Sequence, residues 1–299
     1  MIRALGLLAA ATLALTSCAQ GGDAPPDDEH PEANDASPIL YELSDSGGQT
    51  RGWIFGTIHS LPPDLEWRTA ALDQVIDEAD TLVVEIAGLE DSAGLSVTFN
   101  QLATGPDQPD IGKRVPPSKR RELFALIDQA KLSPSDFGNV ETWAAALILA
   151  QASSDGEGSA GADRVILREF ADRPILKFEG PEEQLGIFDQ LPQGEQSDLL
   201  VGVIEEEKNR AQDPGKLRRA WLSGDEDALI EATVTGLMAD PELRAALLVD
   251  RNHNWIDQLT RILNRGDKPL IAVGAAHVVG EDGLPALLEQ RGYQLRRIQ

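Results

Sequence analysis

Residues 269–277 read Pro-Leu-Ile-Ala-Val-Gly-Ala-Ala-His, and residues 53–59 read Trp-Ile-Phe-Gly-Thr-Ile-His. Each is an apolar run closed by Gly-x-x-His: Gly56 to His59 in one, Gly274 to His277 in the other. A short, uninterrupted apolar run is the pattern of a strand buried on both faces, as in parallel sheets. A glycine at the end of such a strand lets the backbone bend or approach a ligand closely. Ligands of open α/β sheets gather beyond the carboxyl ends of the strands, so both histidines stand where chemistry is expected. The chain has only four histidines, which makes the repetition informative.

Outward from these runs, residues 39–43 and 51–58 read as strands joined by a turn at Ser46-Gly47-Gly48. Residues 67–79 have helical spacing, and residues 81–86, Thr-Leu-Val-Val-Glu-Ile, form another buried strand. This order predicts an α/β fold whose central, mostly parallel sheet is built from two related halves. Between residues 95 and 250 the pattern is mainly helical, with helices expected over 117–130, 141–153, 163–171, 195–210 and 225–238. A single strand, residues 174–178, interrupts them, and the helix after it opens on Pro181-Glu182-Glu183. The chain closes with a helix over 248–265, the strand 269–273, a helix over 282–290 and a strand over 293–298. The domain is thus expected over residues 39–299, with 95–250 as a helical insertion.

The formal charge of −24 repels nucleic acid and anionic headgroups, so neither is expected as a partner. Cys18 is the only cysteine, which excludes an internal disulfide, a thiolate zinc cluster and a cysteine nucleophile. Arg3 and the apolar residues 5–15 precede Leu15-Thr16-Ser17-Cys18, which resembles a bacterial lipobox. Residues 1–17 are therefore expected to be a signal peptide. Cys18 is the expected lipidation site, and residues 18–38, which hold His30, form an acidic tether. The absence of Asp after Cys18 points to the outer membrane, with the domain facing the periplasm. The lipid would be the only membrane contact.

Glu85 and Glu179 each lie at the carboxyl end of an apolar strand, where a lone carboxylate is costly unless paired or metal-bound. His59 and His277 with Glu85 suit a borderline divalent ion such as Mn, Co or Zn. Glu85 or Glu179 could equally serve as general base. Glu85 could instead pair with an arginine, and a metal-free site with His beside Glu is also open. Residues 251–255 read Arg-Asn-His-Asn-Trp. Arg251 could fork onto a carboxylate or a substrate carbonyl, Asn252 could join it, and His253 is expected to face away. Gly56, Gly274 and Trp255 are candidates for contact with substrate. Asp163, in Gly161-Ala162-Asp163, is read as a helix N-cap, with a functional role as the alternative.

In order along the chain stand FGTIH at 55–59, VVEI at 83–86, GAD at 161–163 and EEQLGIFD at 182–189. RN at 251–252 and VGAAHVVGEDGL at 273–284 complete the set, which resembles the TraB/GumN family. That family is related to the Tiki metalloproteases and, more distantly, to the ChaN and erythromycin esterase folds. The resemblance carries two Gly-x-x-His motifs and a strand glutamate onto His59, His277 and Glu85. It implies divalent-metal-dependent peptide hydrolysis. One departure is Phe178-Glu179-Gly180, where the family usually has Leu-Glu-Thr, so a hydroxyl is absent here. The competing expectations are an envelope protein that binds a peptide or haem-like ligand without turnover, and a metal-independent His/Glu esterase. Wild-type protein expressed in a bacterium should enter the detergent phase on Triton X-114 partitioning, and Cys18→Ala should leave it in the aqueous phase.

Overall fold

Strand β3 (Thr81–Ile86) is buried at every position, because residues 81–86 alternate onto two faces that are both covered. The computed structural model describes residues 36–86, 92–152 and 158–299. The leader, Cys18, His30, the tether to residue 35 and part of the Gly/Ser-rich loop (153–157) lie outside the described residues. The other strands are β1 (Leu40–Ser44), β2 (Thr50–Thr57), β4 (Ile175–Glu179), β5 (Pro269–Gly274) and β6 (Gln294–Arg297). They form one sheet in the order β4-β3-β5-β2-β1-β6. The run β4-β3-β5-β2 is parallel, while β1 pairs antiparallel with both β2 and β6. The expected α/β architecture with a mostly parallel sheet is therefore present, and the two Gly-x-x-His strands, β2 and β5, are direct neighbours.

Helices α1 (Ala70–Glu78), α5 (Ala162–Glu169), α8 (Lys216–Ser223), α11 (Asp250–Leu263) and α12 (Leu284–Gln290) pack on this sheet through a first apolar core. Helices α2 (Ser92–Ala103), α3 (Arg120–Gln129), α4 (Thr142–Ala152), α6 (Pro181–Asp189), α7 (Gln193–Gln212) and α10 (Pro241–Arg244) build a second core. Helix α9 (Glu226–Ala232) contributes Leu229 to the first. The middle of the chain thus returns to the sheet twice, at 162–178 and at 220–229. No helix among the described residues is long and apolar enough to cross a membrane.

Several expected boundaries shift for local reasons. The helix expected over 225–238 ends at Ala232; Thr233, Val234 and Thr235 are β-branched, and Gly236 takes a left-handed φ of 57°. The helix expected from 248 is preceded by a π-turn, Ala245–Val249, so α11 begins at Asp250. Position 180 is the N-cap of α6, so the missing threonine hydroxyl belongs at a helix start; the Gly180 N–H donates to Glu183 at 2.6 Å.

Trp143 anchors the second core: it is fully buried, stacks on Phe188, meets Phe99 edge-on and donates its indole N–H to Asp189. Trp143→Ala is expected to cost about 3–5 kcal/mol. A lower urea midpoint at unchanged slope would show that the two cores unfold together.

Candidate active site

The parallel order β3-β5-β2 brings three carboxyl ends side by side, and each carries one candidate: Glu85, His277 and His59. In register, Gly56 lies opposite Val273 and Thr57 opposite Gly274. The two motif glycines then interlock. A Cβ on Gly56 would strike Val278 and Ala275 of the second turn, and the Gly56 carbonyl accepts the Trp221 indole N–H at 2.8 Å. Gly56 thus serves the packing of the two turns. Gly274 is different. Its N–H donates to Glu85 Oε1 at 2.7 Å, and a Cβ there would lie 3.1 Å from that oxygen, 3.6 Å from His59 Nε2 and 3.7 Å from His277 Cδ2. The absence of a side chain is what lets all three functional side chains converge on this point.

Each histidine is held from behind. His59 Nδ1 meets Asp163 Oδ2 at 3.0 Å. Gly161, not Asp163, is the N-cap of α5, so the N-cap expectation for Asp163 is corrected: the carboxylate aims outward from the first turn at His59. Gly161 is required because a Cβ there would collide with the His59 backbone, and Ala162 N–H donates to the Ile58 carbonyl at 2.8 Å. His277 Nδ1 meets Asn252 Oδ1 at 2.6 Å, and Arg251 Nη1 stands 3.4 Å from Nε2. A guanidinium can only donate, so Nε2 carries the lone pair and Nδ1 the proton.

Arg251 is the hub. Buried at 8 % exposure, it donates through Nε and Nη2 to the two oxygens of Glu179 at 2.9 and 3.0 Å, and through Nη2 to Glu85 Oε2 at 2.9 Å. Glu179 also accepts the Trp255 indole N–H at 2.8 Å. Both its oxygens are spent on protein, which does not suit the expected general base. Trp255, stacked between Phe178 and His277, and Asn252, which has no exposed surface and donates to the Asp282 carbonyl, do not line the cavity. These two orient Glu179 and His277 from behind. His253 is exposed, as expected.

These contacts set the charges. Burial opposes ionisation of Glu85, but its neighbours His277, Arg251, His59 and the Gly274 N–H pull it down to about 2; at neutral pH the permanent charge of Arg251 does the pulling. Burial drives His277 down to about 3, with Arg251 adding to it, so its ring is neutral. For His59 burial works against the proton, yet Asp163 and then Glu85 outweigh it and raise its basicity. A neutral ring, a backed histidine and an ionised carboxylate converging on one point are the donor types of a borderline divalent ion. Thr57 Oγ1 and Asp163 Oδ1 are buried there without a protein partner, as groups awaiting a ligand or water are. The donors of His59, Glu85 and His277 do not all come within 4.8 Å of one another. Among the described residues only Glu195, Asp240 and Glu242 do, and they lie half-buried to exposed on a strongly acidic chain.

A cavity of about 80 Å³ opens onto Glu85, Arg251, His59 and His277. Its upper walls come from both cores, Trp221 and Leu229 from the first, Phe188, Leu237 and Met238 from the second. One further acid lines it: Glu206 on α7, which the sequence reading did not single out. The middle of the Glu205-Glu206-Glu207 run gives no local sign of burial.

The chain belongs to the TraB/PrgY/gumN family, whose model matches residues 39–297. It is 25% identical over 249 residues to the uncharacterized protein YbaP of Shigella flexneri, covering 81% of this chain and 89% of that one. It is likewise 25% identical over 243 residues to the uncharacterized protein YbaP of Escherichia coli K12, covering 79% and 86%. No solved structure matches it significantly.

Burial raises the Glu206 carboxyl from its ordinary 4.5 to about 7, against the Leu237 N–H and Arg210. Between those values the folded chain binds more protons at this group than the unfolded chain. Stability from this group is therefore complete below pH 4.5 and is lost as pH rises through 7. Glu206→Gln should remove this component, shrinking the fall in unfolding free energy between pH 5 and pH 8 by about 1–3 kcal/mol in urea titrations.

Proposed function

We propose that this TraB/PrgY/gumN chain is a metal-dependent hydrolase, with a peptide as its substrate, tethered to the bacterial envelope through Cys18. The observation that carries the reading is the convergence of Glu85, His59 and His277 from three adjacent strand ends on Gly274, where a Cβ would lie within 3.7 Å of all three. His59, His277 and Glu85 would hold a divalent ion, which supplies Lewis acidity toward a carbonyl and toward water. Asp163 and Asn252 fix the ring orientations, and Arg251 keeps Glu85 ionised. Glu179 and Trp255 act one layer back, holding Arg251 and the face of His277. The choice of a peptide rests on the family resemblance.

A metal-free reading has its own support. Arg251 Nη1 is 3.4 Å from His277 Nε2, and the donor atoms stand wider than a coordination sphere. In that reading the His59–Asp163 pair is the acid/base and Arg251 the group that steadies a developing oxyanion. Metal analysis of purified protein and a peptide-library cleavage assay across Mn, Co and Zn separate the two. The metal reading expects bound ion, loss of cleavage on chelation, and loss of at least about 100-fold in His277→Ala. Cleavage that survives chelation but not His59→Ala supports the metal-free site. Bound ion with no cleaved peptide supports a binding protein, and cleavage intact in His59→Ala defeats both enzyme readings.

A further inference from the structure

Glu206 stands between two spaces. The inner one is the cavity over Glu85 and the histidines. The outer one is a groove of about 490 Å³ between the second half of α7, α8 and α9. Glu206, Leu217 and Ala232 line both. The position of the carboxylate is built into the fold. Its Oε1 accepts the Leu237 N–H at 3.3 Å. Gly236, at its left-handed φ, leaves room that a Cβ would take from Glu206 Cγ at 3.1 Å. Gly202, one turn earlier on α7, admits Leu237 so closely that a Cβ would meet it at 2.6 Å.

No ion pair reaches Glu206 among the described residues. The cations of the groove are matched elsewhere, Arg210 to Glu207 and Lys216 to Glu231. In the inner cavity Arg251 is matched to Glu85 and Glu179. The remaining wall is apolar, formed by Leu217, Trp221, Leu229, Leu237 and Met238. A carboxylate on an apolar wall, felt by Arg210 only from a distance, favours a ligand that brings its own positive charge, because the arriving cation replaces the water that burial removed.

We infer that Glu206 is a specificity residue that binds a primary ammonium group on a ligand whose apolar part fills the inner cavity. The inference rests on the proposed site, since it makes the cavity over that site the ligand's seat. A peptide amino terminus followed by an apolar side chain has this chemistry, and a lysine side chain is the other source of the same group.

The test is calorimetric binding to the mature protein of leucyl-leucinamide, its N-acetylated form and acetyl-lysyl-leucinamide. Wild type should bind one or both ammonium probes at least about tenfold more tightly than acetyl-leucyl-leucinamide. Which of the two is favoured identifies terminus or side chain. Glu206→Gln should reduce that preference to under about twofold while leaving the acetylated probe unchanged, and Glu206→Asp should keep part of it. Thermal unfolding at pH 8 checks that the Gln variant is at least as stable as wild type. Equal binding of all three probes, no binding of any, or a preference that survives Glu206→Gln overturns the inference. An ammonium preference without hydrolysis of any peptide would sink the hydrolase reading and leave this one standing. Hydrolysis with no ammonium preference would do the reverse.

Discussion

A single guanidinium ties the site together. Arg251 reaches from α11 to the ends of two neighbouring strands, neutralising Glu85 on β3 and Glu179 on β4, and stands beside the ring of His277 after β5. Two carboxylates so close, both buried, would repel each other and resist desolvation without it. With it, Glu85 remains ionised in a place where an isolated acid would take up a proton. The arrangement also explains why α11 crosses these strands as it does. Arg251 and Trp255 are one helical turn apart and share a face, so the same turn that delivers the charge delivers the indole that caps Glu179 and lies against His277.

The two histidines have the same local pattern and opposite electrostatics. His277 is sealed beneath a cation and held by a neutral amide, so it stays uncharged; His59 is half-buried and held by a carboxylate, so it is more basic than usual. An asymmetric pair of this kind can divide labour, one ring offering a lone pair and the other a proton. Sequence repetition alone suggests two equivalent ligands. The difference comes entirely from residues far along the chain, Asn252 and Asp163.

Much of the architecture was legible because burial writes itself into composition. Residues 81–86 and 269–274 are buried almost throughout, and Gly274 ends its strand at a tight turn as expected, while Gly56 lies one residue inside β2. The convergence of His59, Glu85 and His277 followed from placing all three at carboxyl ends. What stayed hidden depended on contacts between distant segments. Asp163 looks like a helix cap, and only the fold shows it 3.0 Å from a ring 104 residues away. Helix α8 is eight residues between the left-handed Gly215 and Gly224, too short for a periodic signal. Helix α2 contains Gly94, Val97 and Thr98, which weaken helical propensity. Glu206 sits in a run of three half-buried glutamates, and nothing local tells the one that faces the cavity from its neighbours.

The seat of the cavity between two separately packed cores has a mechanical meaning. Its walls are shared by side chains that belong to different apolar clusters, so the space is a seam as well as a pocket. Whatever lodges there would be held by side chains of both cores. Occupancy of the site and cohesion of the whole fold are then one variable, and the chain can register its ligand as a change in how firmly its halves hold together.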